Sequence, residues 1–149
     1  MELDFDTAVK LDIYNTIAAT AKVPAAEEVA RSLGAGVEAV RAAFGRLHAK
    51  RLLVPEPGDP SRIRMAPPFS GVPTPFLVKV AGREHFANCS WDALGIAAAL
   101  RRDAVIEAAD GATGEPLTIE VTDGRPLPSG CVAHFAVPAA RWWDDIVHT

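Results

Sequence analysis

"FANCSWDALGIAAALRRDAVIEAADGATGEPLTIEV", Phe86–Val121, is the stretch on which the reading of this chain turns. Its first part, "CSWDALGIAAALRR", reads as a helix, and Asn88 is placed as an N-cap, which makes Cys89 the first helical position. Beyond it, "AVIEAA" and "LTIEVTDG" read as strands joined through the turn "DGATGEP". Upstream, "FLVKVAGREHFA" reads as two strands turning around Gly82. Downstream, "CVAHFAVP" reads as a further strand, and "AARWWDDIVHT" as an amphipathic helix covering the sheet. This order predicts a small α+β layer in which the Cys89 helix packs on a mostly antiparallel sheet.

Further out, the first third of the chain reads as helices. Val9, Ile13 and Ile17, with Leu11 and Tyr14 nearby, recur at helical spacing. "PAAEEVARSLG" has Pro24 in its first turn and Gly34 past its end. Val37, Val40, Phe44 and Leu47 mark a third helix, and "LLVPEPGDPSRIRMAP" gives two short extended runs around a turn. Three helices followed by a hairpin is the order of a winged helix-turn-helix. The Pro-rich "APPFSGVPTPF" then separates a winged-helix-like module, residues 1–68, from the α+β domain, residues 69–149.

A winged helix raises the question of DNA. Gly36, Val37, Glu38, Ala39 and Val40 open the third helix, where base readout favours Arg, Lys, Asn or Gln. Arg41, Arg46, Lys50 and Arg51 remain as candidate phosphate contacts. Charge does not favour a nucleic-acid partner: residues 1–66 carry nine basic and nine acidic side chains, and residues 67–149 carry six and ten.

With 149 residues, 49% of them hydrophobic, the chain has enough apolar side chains for one core or two small ones. It holds no apolar run of membrane-spanning length, and "MELDFDTAVK" is acidic where a signal peptide is basic. The expectation is a cytoplasmic protein without a membrane partner. Two cysteines are too few for a disulfide scaffold, and that compartment keeps them reduced.

Those cysteines carry the chemistry. A cysteine at a helix start meets unpaired N–H groups and the positive end of the helix dipole, which favour its thiolate. Asp92, three residues on, shares its face and is suited to hold a proton exchanged with the thiol. The alternative is a buried structural thiol beside an aspartate that merely complements the dipole.

The Asn-Cys-x-x-Asp-x-Leu helix and its following strand, together with "VAHFAVPAARWWDDIVHT", resemble the alkylmercury lyase (organomercurial lyase) family. The resemblance covers residues 76–149, and residues 5–66 are similar in kind to the family's N-terminal winged-helix-like region. It implies thiolate-assisted protonolysis of an organomercurial, R–Hg–X, to R–H and Hg(II). It further implies that Cys89 takes up mercury, that Asp92 supplies a proton to the departing carbon, and that Cys131 is the second mercury ligand. Thiolate suits a soft ion such as Hg(II). No cofactor is required on this reading; Hg(II) is a substrate-derived or product ion, and external thiols are partners. With His134-Phe135 as anchor, the family's second cysteine falls at Gly130, and a bulge after "PLPSG" would return Cys131 to its place.

Other readings remain open at this point. One is a non-catalytic or repurposed homologue that binds a heavy metal or small ligand through Cys89. Another is a winged-helix regulator responsive to a metal or ligand. His85, Cys89, Cys131 and His134 are four N/S ligands of the kind zinc takes, but their spacing does not gather them. A cysteine hydrolase would need His85 or His134 ordered as a base, and "GATGEP" is not a phosphate-binding loop.

Overall fold

The structure, a computed structural model, describes residues 3–148. Three helices come first: α1 (Phe5–Thr20), α2 (Ala26–Leu33) and α3 (Val37–Ala49). The stripe that predicts α1 is the one it buries, since Val9, Ile13 and Ile17 are at most 1% exposed. Asp4 caps α1 by accepting from the Thr7 N–H at 3.2 Å. At the head of α2, Pro24 lies before the Ala25 N-cap, and the Glu28 carboxylate accepts the Ala25 N–H at 2.8 Å. Gly34 ends α2 in the left-handed region, φ 62°, which glycine adopts without a Cβ penalty.

Strands β1 (Val54–Glu56), β2 (Asp59–Ala66) and β3 (Phe69–Ser70) then form an antiparallel sheet in that order. Just past β3, the Gly71 N–H donates to the Arg64 carbonyl at 2.7 Å. A Cβ at Gly71 would collide with the backbone carbonyl of Ile63, so this return of the chain needs glycine.

The second sheet is built from β4 (Leu77–Val80), β5 (Arg83–Phe86), β6 (Ala104–Ala109), β7 (Pro116–Thr122) and β8 (Arg125–Leu127). Its strand order is β5-β4-β6-β7-β8, antiparallel throughout. Period-two alternation turns Val78, Val80, Ala104 and Ile106 inward. Ala93, Ile96 and Ala97 of α4 (Ser90–Leu100) are buried as well, and α4 packs on β4 and β6. Full burial of each larger aliphatic side chain stabilises this layer by roughly 1.5–3 kcal/mol. On the opposite face Lys79 reaches Glu107 at 2.5 Å, a solvated pair. One apolar cluster runs from Val9 and Phe44 through Phe69 to Ile96 and Val121, so the helices and the second sheet share a core.

Two expectations fail at the C-terminal end. Cys131 to Pro138 is not a strand: the chain is irregular there, and the last strand is β8. Pro126 and Pro128 lack the N–H that a ladder needs, and Ser129-Gly130 follow as a turn. Nor does "AARWWDDIVHT" form an amphipathic helix over the sheet. It gives a short 3₁₀ helix, Ala139–Asp144, with no buried residue. Trp143 from this helix lies against His48, with ring centroids 6.1 Å apart, and under the Arg51 guanidinium at 5.9 Å. The segment therefore leans on the end of α3.

Candidate active site

The backbone around Cys89 is tied down before the helix begins. The Ala87 N–H donates to the Phe76 carbonyl at 3.0 Å, and the Thr74 hydroxyl donates to the Ala87 carbonyl at 2.6 Å. Phe69 bridges Ala87 in antiparallel fashion. Cys89, not Asn88, is the N-cap: its backbone is extended, with φ −156° and ψ −177°, and its carbonyl accepts the Ala93 N–H at 2.9 Å. The expected assignment shifts by one residue because Asn88 is engaged elsewhere.

The Asn88 side-chain nitrogen donates to the Asp92 carboxylate at 2.9 Å and to the Phe69 carbonyl at 3.3 Å. Its Oδ1 is buried without a hydrogen-bond partner. Above it, the Tyr14 hydroxyl donates to the Pro67 carbonyl at 2.7 Å, and Tyr14 and Phe69 meet edge to face at 6.2 Å. Pro68 packs on α4 so closely that a Cβ at Gly95 would lie 3.2 Å from its Cβ. Residues 67–69 thus thread between α1 and the first turns of α4, held by Tyr14 from α1 and by Asn88, which precedes α4.

Burial sets the electrostatics. It pushes the Cys89 thiol above its ordinary pKa; the backbone N–H groups of Asp92 and Trp91 act the other way, and the Asp92 charge adds to the rise. Desolvation is the largest of these causes and outweighs the expected thiolate stabilisation at the helix start. Burial also raises the Asp92 carboxyl, opposed by the Asn88 hydrogen bond. Tyr14 is pushed up to about 12 by burial and then by the Asp92 charge. Burial therefore raises the proton affinity of both the sulfur and the carboxyl. A half-buried thiol one turn from a carboxyl of raised proton affinity is an arrangement for exchanging a proton with a group bound at the sulfur.

Cys131 is exposed, on the irregular segment after β8, and both cysteines are free thiols. Its expected strand position is lost with the strand. His85 is 3% exposed, with its ring 5.3 Å from that of Phe69; burial, then Arg83, lowers its pKa. His134 is exposed. Among the described residues no group of three or more His, Cys, Asp or Glu side chains gathers to hold a metal ion.

The basic residues of α3 and its end are engaged within the chain. Arg41 pairs with Glu27 and Glu38, each at 2.7 Å, and Arg46 grips Asp6, its closest contact 2.6 Å, with Lys50 at 3.6 Å from the same carboxylate. Arg51 covers Trp143. Tyr14 and Asn88 are the site residues that sequence reasoning missed. Tyr14 reads only as part of a helical face, and Asn88 carries a cap signal that hides its contact with Phe69.

The family model for alkylmercury lyase (MerB) matches residues 69–149, just over half of the chain. The chain belongs to the alkylmercury lyase family. A solved structure, the mercury-bound form of MerB2, superposes with a TM-score of 0.66 at 22% identity, covering 85% of this chain and 62% of that one. That likeness speaks for the α+β fold, and the chain spans about three fifths of that relative's length. No curated protein matches the chain at a significant level. In this alkylmercury lyase family member, Cys89 and Asp92 both lie within the matched region, Cys89 at the N-cap and Asp92 on the first turn of α4. Among the described residues no helix is long and apolar enough to cross a membrane.

Proposed function

We propose that this protein cleaves carbon–mercury bonds, converting R–Hg–X to R–H and Hg(II), with Cys89 as the sulfur that takes up mercury and Asp92 as the acid/base group. The observation that carries this reading is the pairing of a half-buried thiol and a carboxyl of raised pKa on the first turn of α4. In the first step the Cys89 sulfur bonds mercury, X departs, and the thiol proton passes to the Asp92 carboxylate. In the second step a further thiolate bonds mercury and the carbon–mercury bond breaks. Its electron pair stays with carbon, which takes the proton from Asp92 and leaves as R–H. The second thiolate raises electron density on that carbon and makes it easier to protonate. Hg(II) then leaves by exchange with external thiols.

Cys131 is the chain's own candidate for the second thiolate, delivered from an exposed segment, and an external thiol is its competitor for that role. Membership of the family and the chemistry of soft metals both support mercury as the ion concerned. Anaerobic turnover of phenylmercury with excess thiol, followed by benzene release, tests the proposal. Wild type is expected to release benzene catalytically, and Cys89→Ser to fall by about a thousandfold or more. Equal rates for the two would sink the assigned mechanism.

A second reading, a mercury binder that has lost the reaction, draws on the exposed position of Cys131. Mercury retained through Cys89 with no benzene released would select it. A DNA-binding regulator is less well supported, because Arg41, Arg46, Lys50 and Arg51 are each engaged inside the chain.

A further inference from the structure

We propose that Asn88 is the positioning residue for Asp92: anchored on the Phe69 carbonyl, its side-chain amide holds the Asp92 carboxyl in the orientation from which it exchanges a proton at Cys89. The proposal rests on the lyase reading of the site, and its geometry stands apart from that reading. The Asn88 nitrogen has two hydrogens and faces two acceptors, Asp92 Oδ2 at 2.9 Å and the Phe69 carbonyl at 3.3 Å. Turning the amide over would bring Oδ1 against both oxygens. A carbonyl can only accept, so Phe69 dictates which end of the amide is nitrogen.

The cost of this orientation is visible, because Oδ1 is left buried without a partner. A buried polar atom without a hydrogen bond calls for an explanation. Helix capping does not provide one: a capping asparagine accepts a backbone N–H through Oδ1, whereas here Cys89 is the N-cap and Oδ1 accepts nothing. All the hydrogen bonding of the side chain goes to Phe69 and Asp92. The anchor is itself fixed from the far side, through the Tyr14 hydroxyl on Pro67 and the Phe69 bridge to Ala87. The three-helix module thereby reaches the site through residues 67–69 and Asn88.

The test compares Asn88→Ala and Asn88→Asp in turnover of phenylmercury with excess thiol. Hg(II) uptake is measured separately by thiolate-to-mercury charge-transfer absorbance. Both variants are expected to lose about 10- to 100-fold in kcat, the scale of a misplaced reacting group, with KM within about threefold and Hg(II) uptake by Cys89 unchanged. Asn88→Asp is nearly isosteric, but its carboxylate has no N–H to offer Asp92 or the Phe69 carbonyl. A wild-type kcat in Asn88→Asp would overturn the proposal. In an Asp92→Ala background, Asn88→Ala is expected to cost nothing more; a full additional loss there would overturn it equally.

If wild type releases no benzene, the lyase reading falls while the positioning remains open to NMR. Two separate, slowly exchanging Asn88 amide proton signals that move in Asp92→Ala would uphold it. A pair averaged with solvent and indifferent to Asp92→Ala would overturn it.

Discussion

The two cysteines of this chain are held by opposite kinds of backbone. Cys89 begins a helix whose approach is fastened to Phe76, Thr74 and Phe69, and it lies half-buried beside a carboxyl that is itself gripped by Asn88. Cys131 lies on an exposed, irregular stretch between an edge strand and a 3₁₀ helix without buried residues. The difference separates two needs of thiolate chemistry. A sulfur that must share a proton with one particular carboxyl requires a rigid seat, because small displacements weaken proton transfer steeply. A sulfur that only adds to a bound soft ion can arrive from a mobile arm or be replaced by a thiol from solution.

The sharpest way to break this contrast is to measure the two thiols directly. In single-thiol variants at neutral pH, iodoacetamide is expected to modify Cys131 about tenfold or more faster than Cys89, because burial protects Cys89 and pushes its pKa up. Mass spectrometry of the time course reads the ratio. A faster Cys89 would mean that the helix N-terminus overrides desolvation after all.

The next effect sharpens the contrast through activity. Cys131→Ser is expected to lower benzene release by up to about tenfold when external thiol is scarce, and the deficit is expected to shrink as thiol is raised. A loss as deep as that of Cys89→Ser at every thiol concentration would show that the segment closes onto Cys89 as an integral part of the site.

The smallest effect concerns what the rigid seat costs. Because the folded pKa of Asp92 is raised, the fold disfavours its carboxylate. That penalty is absent below the unfolded value of 3.8 and is fully present above the raised folded pKa. Asp92→Asn, which still accepts from Asn88, is therefore expected to stabilise the protein by about 0.5–1 kcal/mol at neutral pH. The gain should fade as pH drops toward 3.8, and denaturant midpoints at several pH values read it. A destabilised variant at neutral pH would mean that the carboxylate earns its place through contacts rather than chemistry.

What the amino-acid sequence determined by itself is what depends on local period and local chemistry. The stripe of Val9, Ile13 and Ile17 specifies a helix face whatever it packs on, and the alternation through "AVIEAA" and "LTIEV" specifies half-buried strands. The spacing of Cys89 and Asp92 on one helical turn, with the wording around them, was enough to point to the family. Tertiary structure decided the rest, because it depends on partners remote in the chain. Whether "CVAHFAVP" becomes a strand depends on a free ladder to join, and the prolines around β8 leave none. Whether Asn88 caps a helix or grips a carboxylate depends on the Phe69 carbonyl, nineteen residues away. Whether a helix start makes a thiolate depends on how deeply the fold buries the sulfur, and at Cys89 desolvation exceeds the pull of the backbone N–H groups.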